Sequence, residues 1–404
     1  APEAPLAEPI AESIGEYYGT LEPFASEAIY FLLTDRFVDG DPSNNQEDQG
    51  LPDRGTFDRV IQFDGEPPGN IGYLGGDFQG VLDNAAYIAD MGYTSVWLTP
   101  IVDNPDEAFT GNADGNDNGK TGYHGYWGVN FFELDEHLPS PGLDYAELTR
   151  ALRDDHGLKT ILDVVCNHGS PSFTMPEDQP KFGEIYAADG TLLADHMNLH
   201  PSELDDANPL HDFFRRETDI GELSDLDFDN PAVLEHCVAA TEQWLDQGAA
   251  AIRIDTIKHM PHYFWKAYSD RLRADRPGLF MFGEAFTYAP EELAEFTWPE
   301  NGGNSVLDFA GREAMLAVFG ATDAPYSDVL GYLHTDTGLY QNAYDLMTFY
   351  DNLDMTRIDS NPEGFIDATN WLFTSRGIPV VYYGSEIGFR AGRGEHRGNR
   401  DYFG

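Results

Sequence analysis

Apolar and polar positions along the chain alternate between two periods. Short runs rich in β-branched and aromatic residues recur eight times: AIYFLLTDRF from residue 28, TSVWLTP from 94, LKTILDVVCNH from 158, AAAIRIDT from 249, LFMFGEA from 279, SVLDFAG from 305, YDLMTFYDN from 344 and IPVVYYGSE from 378. Runs of this length and composition read as buried strands. Between them lie amphipathic segments such as GLDYAELTRALRDDHG (142–157) and PAVLEHCVAATEQWLDQG (231–248). Strands alternating with helices predict a parallel sheet covered by helices, and eight such units point to an α/β fold of the (β/α)8 TIM barrel type. In that architecture the C-terminal strand ends face the working side, so polar residues that close apolar runs outrank scattered acids as candidates for chemistry.

Two stretches depart from the repeat. Residues 169–230 form a polar excursion after the third run, too long for an ordinary βα loop, and are assigned as a small inserted domain. The barrel then occupies 28–168 and 231–404, with 1–27 as an N-terminal extension. The chain stops at GNRDYFG soon after the eighth run. A missing C-terminal part is the expectation; the alternative is that a helix-like segment at 6–18 covers the open position.

Charge changes the picture of the environment. The 404 residues carry 71 acidic and 23 basic side chains, a formal net charge of −48. Self-repulsion of that size penalises the compact state, and salt screens it within roughly 3 Å at 1 M, so the composition reads as salt adaptation. No basic stripe exists to neutralise phosphates, which excludes nucleic acid as a partner. No apolar run reaches eighteen residues, which excludes a helical membrane span. Cys166 and Cys237 read as buried small apolar residues, not as a disulfide framework. The opening APEAPLAEPIAE suggests a processed N-terminus and hence secretion. A monomer is expected.

Four strand ends carry the candidate chemistry: DVVCNH (163–168), AIRIDTIKH (251–259), MFGEAF (281–286) and FYDNLD (349–354). In order and spacing they resemble the four signature segments of the α-amylase superfamily, glycoside hydrolase family thirteen. TDRFVDGDPSNN, YLGGDFQG and GYHGYW add a likeness to bacterial α-amylases and cyclodextrin glucanotransferases. The resemblance implies a retaining cleavage of α-1,4-glucosidic bonds in starch or maltooligosaccharides, with Asp255 as nucleophile, Glu284 as acid and base, and Asp354 as the third carboxylate. Retention needs a carboxylate nucleophile and a second, initially protonated carboxyl close by. Arg253, two residues before Asp255 and therefore on the same strand face, is placed to keep the nucleophile ionised.

The same resemblance implies that Tyr126, His124 and His168 hold the sugar at the cleavage position. It also implies that Asp163 orients Arg253, that Lys258, His259 and Phe286 hold the leaving side, and that Arg400 holds the donor side. It implies Ca²⁺ as well, which suits crowded oxygen donors. One site would use Asp39, Asp41, Asn44, Asn45, Gly75 and Asp77. A second would use Asn167, the carbonyl of His259 and a carboxylate among Asp195, Asp205, Asp206 and Asp212.

Two positions depart from the family pattern. Leu353 stands where a histidine usually precedes the third carboxylate; loss of such a donor is expected to slow catalysis. Cyclising relatives carry an aromatic residue in the insertion at the centre of the groove. The stretch HMNLHPSELDD, taken as its counterpart, offers His200 and no Phe, Tyr or Trp. Hydrolysis is thereby favoured over glucan transfer, with a weakly active glucan-binding relative as a third alternative.

Overall fold

The computed structural model describes residues 19–404 except 51–54, 63–67, 112–118, 175–180, 322, 334–337 and 390–397. The helix-like segment at 6–18 lies outside the described residues. All eight apolar runs form strands of one parallel sheet: β1 (Ile29–Leu32), β2 (Ser95–Leu98), β3 (Lys159–Val164), β4 (Ala251–Ile254), β5 (Phe280–Gly283), β6 (Ser305–Val306), β7 (Met347–Thr348) and β8 (Ile378–Tyr382). The spatial order is β6-β5-β4-β3-β2-β1-β8-β7. A parallel bridge between Leu307 and Met347, with the Asp308 amide donating to the Met347 carbonyl at 2.9 Å, joins the two edges and closes the barrel.

Local signals explain the helices. The helix Tyr145–His156 starts where Asp144 accepts from the Glu147 amide at 2.9 Å and ends at Gly157, whose φ of +70° suits the left-handed stop. Pro231–Asp246 begins with Asn230 as cap and proline in the first turn. The barrel interior is aromatic: Phe31 stacks on Trp97 at 3.7 Å, and Trp97 meets Phe282 edge-on at 5.4 Å. Phe24 closes the opposite end by stacking on Phe280 at 4.6 Å. Both cysteines are buried and free, and no helix among the described residues is long and apolar enough to cross a membrane.

The excursion leaves the barrel after β3. Its strand His168–Pro171 pairs antiparallel with Leu223–Asp225, and Glu184–Tyr186 pairs with Leu192–Asp195. Phe109, Trp127 and Phe182, with Leu223 against them, form a separate small core beneath it. Ile185, Ala194, Phe213, Phe214 and Leu226 of the excursion pack into the main core, so it stands as a wall fixed to the barrel beside the C-terminal strand ends.

His236, on Pro231–Asp246, is buried edge-on among Phe131, Phe132 and Phe213. Burial pushes its imidazole down to about 4. The folded state thus excludes a proton that the unfolded chain takes up below about 6.5, so this residue's contribution is intact above that pH and is lost as pH falls toward 4. His236→Phe should flatten the fall in unfolding free energy between pH 7 and 4.5 by about 2 kcal/mol. Denaturant titrations across that range check it; parallel pH profiles for the two proteins would refute it.

Candidate active site

The strand period sets the centre of the site. Arg253 on β4 and Asp255 just past its end are two residues apart and point to the same interior side, and on β3 Asp163 lies directly opposite Arg253 in the ladder. Arg253 is 1% exposed. Its Nη1 donates to Asp163 Oδ1 at 2.9 Å and to Asp255 Oδ1 at 2.7 Å. Its Nη2 lies 2.8 Å from Glu284 Oε2, at the end of β5. Asp163 is held from its other oxygen by Trp97 Nε1 and by the Tyr126 hydroxyl, each donating at 2.9 Å. After Asp255 the backbone turns through Thr256 at φ +49°, a left-handed conformation costly for a β-branched residue.

One buried cation here faces three buried carboxyls. Burial pushes Asp163 up to about 7, against the pull of Arg253. Burial also raises Asp255 and Glu284. Arg253 pulls both down, and the negative charge of Asp255 pushes Glu284 further up, toward its protonated form. Arg253 itself is held high because Asp163 and Glu284 outweigh its desolvation. The arrangement favours an ionised Asp255 beside a protonated Glu284.

The segment after β7 completes the site. Asp354 Oδ1 accepts from Arg400 Nη2 at 2.9 Å, Arg400 Nε donates to the Leu353 carbonyl at 3.0 Å, and Arg400 Nη1 donates to the Tyr123 hydroxyl at 3.1 Å. Asn399 Nδ2 also donates to the Leu353 carbonyl, at 2.8 Å. Leu353 is buried in the core cluster and contributes its backbone, not its side chain, to this corner. Asp351 is structural: its oxygens accept from the Ile358 amide and the Ser385 hydroxyl at 2.6 and 2.8 Å.

These groups open into a cleft of about 560 Å³ between the strand ends and the excursion. Asp255, Glu284, Asp354, Tyr126, His124, His168, His259, Phe286 and Arg400 all line it. Arg253 lies beneath it, and Lys258 sits exposed at the rim with Nζ donating to the Phe286 carbonyl at 3.2 Å. His168 is fully buried and kept neutral, with its pKa lowered to about 4 by burial and by His259.

The stretch HMNLHPSELDD is not the part of the excursion that reaches the groove. His200 instead hydrogen-bonds Ser202 at a turn, while Asp219, Ile220, Gly221, Glu222 and Leu223 line the cleft. The sequence reading missed this segment, along with Trp127, Phe109 and Lys120, because nothing in an isolated polar loop tells which turn folds back. GYHGYW contained Trp127, and its neighbourhood to Tyr126 was the available signal. Asp219 ties the segment down through a 3.1 Å contact with His259 Nδ1.

Comparison with known proteins agrees with this geometry. Residues 31–400 match the family model for the α-amylase catalytic domain. This chain belongs to the α-amylase family. It is 32% identical over 410 residues to a cyclomaltodextrin glucanotransferase of Klebsiella oxytoca, covering 90% of this chain and 58% of that protein. It is 33% identical over 384 residues to one of Niallia circulans, covering 90% and 49%. The chain thus spans about half the length of the curated relatives it matches. Among solved structures, an Anoxybacillus α-amylase superposes with a TM-score of 0.71 at 26% identity, covering 94% of this chain and 75% of that one. A γ-cyclodextrin glucanotransferase of Bacillus clarkii gives 0.73 at 28%, covering 94% and 54%.

The metal residues that the α-amylase family implies fit unevenly. In the first group Asp39 Oδ1, Asn44 Oδ1 and Asn45 Oδ1 are buried without a hydrogen-bond partner among the described residues. A Cβ on Gly75 would fall 2.5 Å from Asn45 Oδ1 and 2.9 Å from Asp39 Oδ2, so backbone and oxygens form a tight cradle. Such orphaned oxygens suit a hard cation. Asp77 plays another part, accepting from the Gly40, Asp41 and Gly80 amides at 3.1, 2.8 and 2.7 Å, and Asp41 turns back on Ser43.

In the second group Asn167 Oδ1 is orphaned, and so is Oδ1 of Asp225, which stands opposite His168 in the ladder. Asn167 and Asp225 thus each leave one buried oxygen open at this ladder. Of the four acids named for this group, Asp195 accepts from the Met197 amide at 2.7 Å and Asp205 from the Ala207 amide at 2.9 Å. Asp206 is exposed beside Arg216, and the Asp212 carbonyl accepts from Asn230 on the outer face.

Arg253→Met should lower stability by about 3–5 kcal/mol, because it leaves several buried carboxyls without their common partner. Denaturant unfolding at neutral pH measures this, and a loss below about 1 kcal/mol would mean that water or neighbouring donors replace the guanidinium.

Proposed function

We propose that this chain is a salt-adapted, secreted, calcium-binding hydrolase that cleaves internal α-1,4-glucosidic bonds of starch and maltooligosaccharides with retention. The observation that carries the reading is the single guanidinium of Arg253 holding Asp255 and Glu284 together in a cleft. Both carboxyl groups lie within 2.8 Å of nitrogens of the same guanidinium, which supports the short separation of retaining enzymes over the wider gap that admits a water.

In this mechanism Glu284 gives its proton to the glycosidic oxygen while Asp255 attacks the anomeric carbon. The covalent glycosyl-enzyme forms as the leaving sugar departs. Glu284, now ionised, takes a proton from the incoming water, which releases the sugar and restores the starting state. Asp354, aimed by Arg400, binds hydroxyls of the reacting sugar, and His168 contributes a neutral imidazole to the same ring. Ca²⁺ supplies rigidity when bound, with Asp39, Asn45 and the Gly75 backbone holding one ion and Asn167 with Asp225 holding another between barrel and excursion.

Transfer to a sugar acceptor is the second reading, favoured by the names of the relatives. Hydrolysis is preferred because the cleft-lining segment Asp219–Leu223 carries no aromatic ring on which a glucan could curl; Gly221 leaves open space there. The acidic composition supports salt adaptation through screening of −48 charges.

Incubation with starch in molar salt and calcium tests the reading. Linear maltooligosaccharides are expected, and Asp255→Asn and Glu284→Gln should each lower kcat by at least about 10⁴-fold, the scale on which loss of one essential catalytic carboxylate acts. Cyclodextrins as the main product would favour transfer, absence of products would favour a binding relative, and retained activity in either variant would overturn the assigned roles.

Calcium should raise the thermal midpoint, with saturation at one hundred times Kd worth about 2.7 kcal/mol. Asp225→Ala should reduce that gain, leaving only what the Asp39 cradle provides. An unchanged midpoint on chelation of the wild type would remove calcium from the reading.

A further inference from the structure

Phe286 and Tyr288 present two large rings to solvent on a strongly acidic chain, at 42% and 41% exposure. The rings meet edge to face at 6.1 Å and 71°. Both rest on the fully buried ring of Phe309, at 4.8 and 6.3 Å, and Phe309 is braced by Phe349 at 5.1 Å. Thr287 between them is turned inward: its hydroxyl donates to Glu292 at 2.7 Å and accepts from the Ala289 amide at 3.3 Å. The loop thus holds positions i and i+2 outward by pinning i+1, so the rings are fixed in place instead of folding into the core.

Supported aromatic faces left open beside a cleft are the signature of a binding surface. Phe286 lines the cleft and Tyr288 continues its apolar surface outward along the rim. Both follow Glu284 on one loop. An acid that protonates the glycosidic oxygen faces the departing part of the substrate, so these rings border the path of the reducing-end sugars.

We propose that Tyr288 adds a sugar-stacking position beyond Phe286 for the reducing-end portion of an α-glucan, which makes it a length-selecting residue. The inference rests on the hydrolase reading above and names the subsite that this chain builds on its leaving side. The apolar C–H face of a pyranose matches an exposed ring, and Lys258 at the same rim offers ammonium protons to hydroxyls. The site selects for chain length because a short substrate held at the cleavage point never reaches Tyr288.

Reducing-end-labelled maltooligosaccharides of increasing length test it with wild type, Tyr288→Ala and Tyr288→Phe. The ratio of kcat/KM for long over short substrates should fall about five-fold in Tyr288→Ala, the scale of one aromatic contact, and the cleaved bond should move toward the reducing end. Tyr288→Phe should keep the wild-type ratio and pattern, since the ring face does the stacking. A wild type active on these glucans whose ratio and cleavage pattern survive Tyr288→Ala would overturn the subsite alone. So would an equal loss at every length. A wild type inactive on every α-1,4-glucan would overturn the hydrolase reading and the subsite with it.

Discussion

The guanidinium of Arg253 is the element on which the site depends. It is buried under a cleft, bonded to Asp163, Asp255 and Glu284, and roofed by the aromatic rings of Trp97 and Tyr126 at 5.3 and 5.6 Å. A lone buried cation is costly, and so is each buried carboxylate; placed together they offset one another. Three acids and one base leave a negative excess, and a proton retained on the acid side relieves it. The site therefore has a physical reason to hold a proton on one carboxyl and a charge on the other, which general-acid chemistry with a carboxylate nucleophile requires.

That arrangement in turn depends on barrel closure. β6 and β7 are two residues each, and the Leu307–Met347 bridge is what makes the eighth neighbour relation. The segment that follows β7 carries Asp354, and its position is fixed from the far end of the chain by Asn399 and Arg400 through the Leu353 carbonyl. Residues near 400 are thus part of the site's frame as well as its lining. The excursion adds the opposite wall, anchored by the pairing of His168 with Asp225 and by the contact of Asp219 with His259.

Periodicity made the barrel legible: every run of β-branched and aromatic residues became a barrel strand, since buried parallel strands have to be apolar on both faces. Strand-end acids were legible for the same reason, being polar where the pattern demanded apolar. What stayed hidden depended on long-range register. Asp225 is one acid among many in a polar loop until the ladder sets it opposite His168. The cleft-facing role of Asp219–Leu223 follows from the same pairing. Leu353 read as a missing donor in the groove, yet the turn after β7 buries its side chain and uses its carbonyl, a choice of direction that one-dimensional spacing does not encode.

Hydrolysis and glucan transfer share every step up to the covalent intermediate, so the Arg253 cluster serves both equally and cannot select between them. Selection begins when the leaving sugar has gone and water competes with a second sugar for the acceptor position. An acceptor sugar wins only if the rim binds it, which needs apolar faces and hydroxyl partners; a bare rim leaves the position to water. In this chain the rim is divided. The excursion side is open at Gly221 and carries acids, while the β5 side presents Phe286 and Tyr288 on a rigid base. A glucan gripped along one wall is held straight, with no second surface to turn it back toward Asp255. Straight binding on the departing side leaves no surface for ring closure, so the asymmetry of the rim, not the catalytic centre, is what supports linear products over cyclic ones in the proposed reaction, while the Phe286–Tyr288 wall would receive a linear acceptor as readily as it releases a leaving chain.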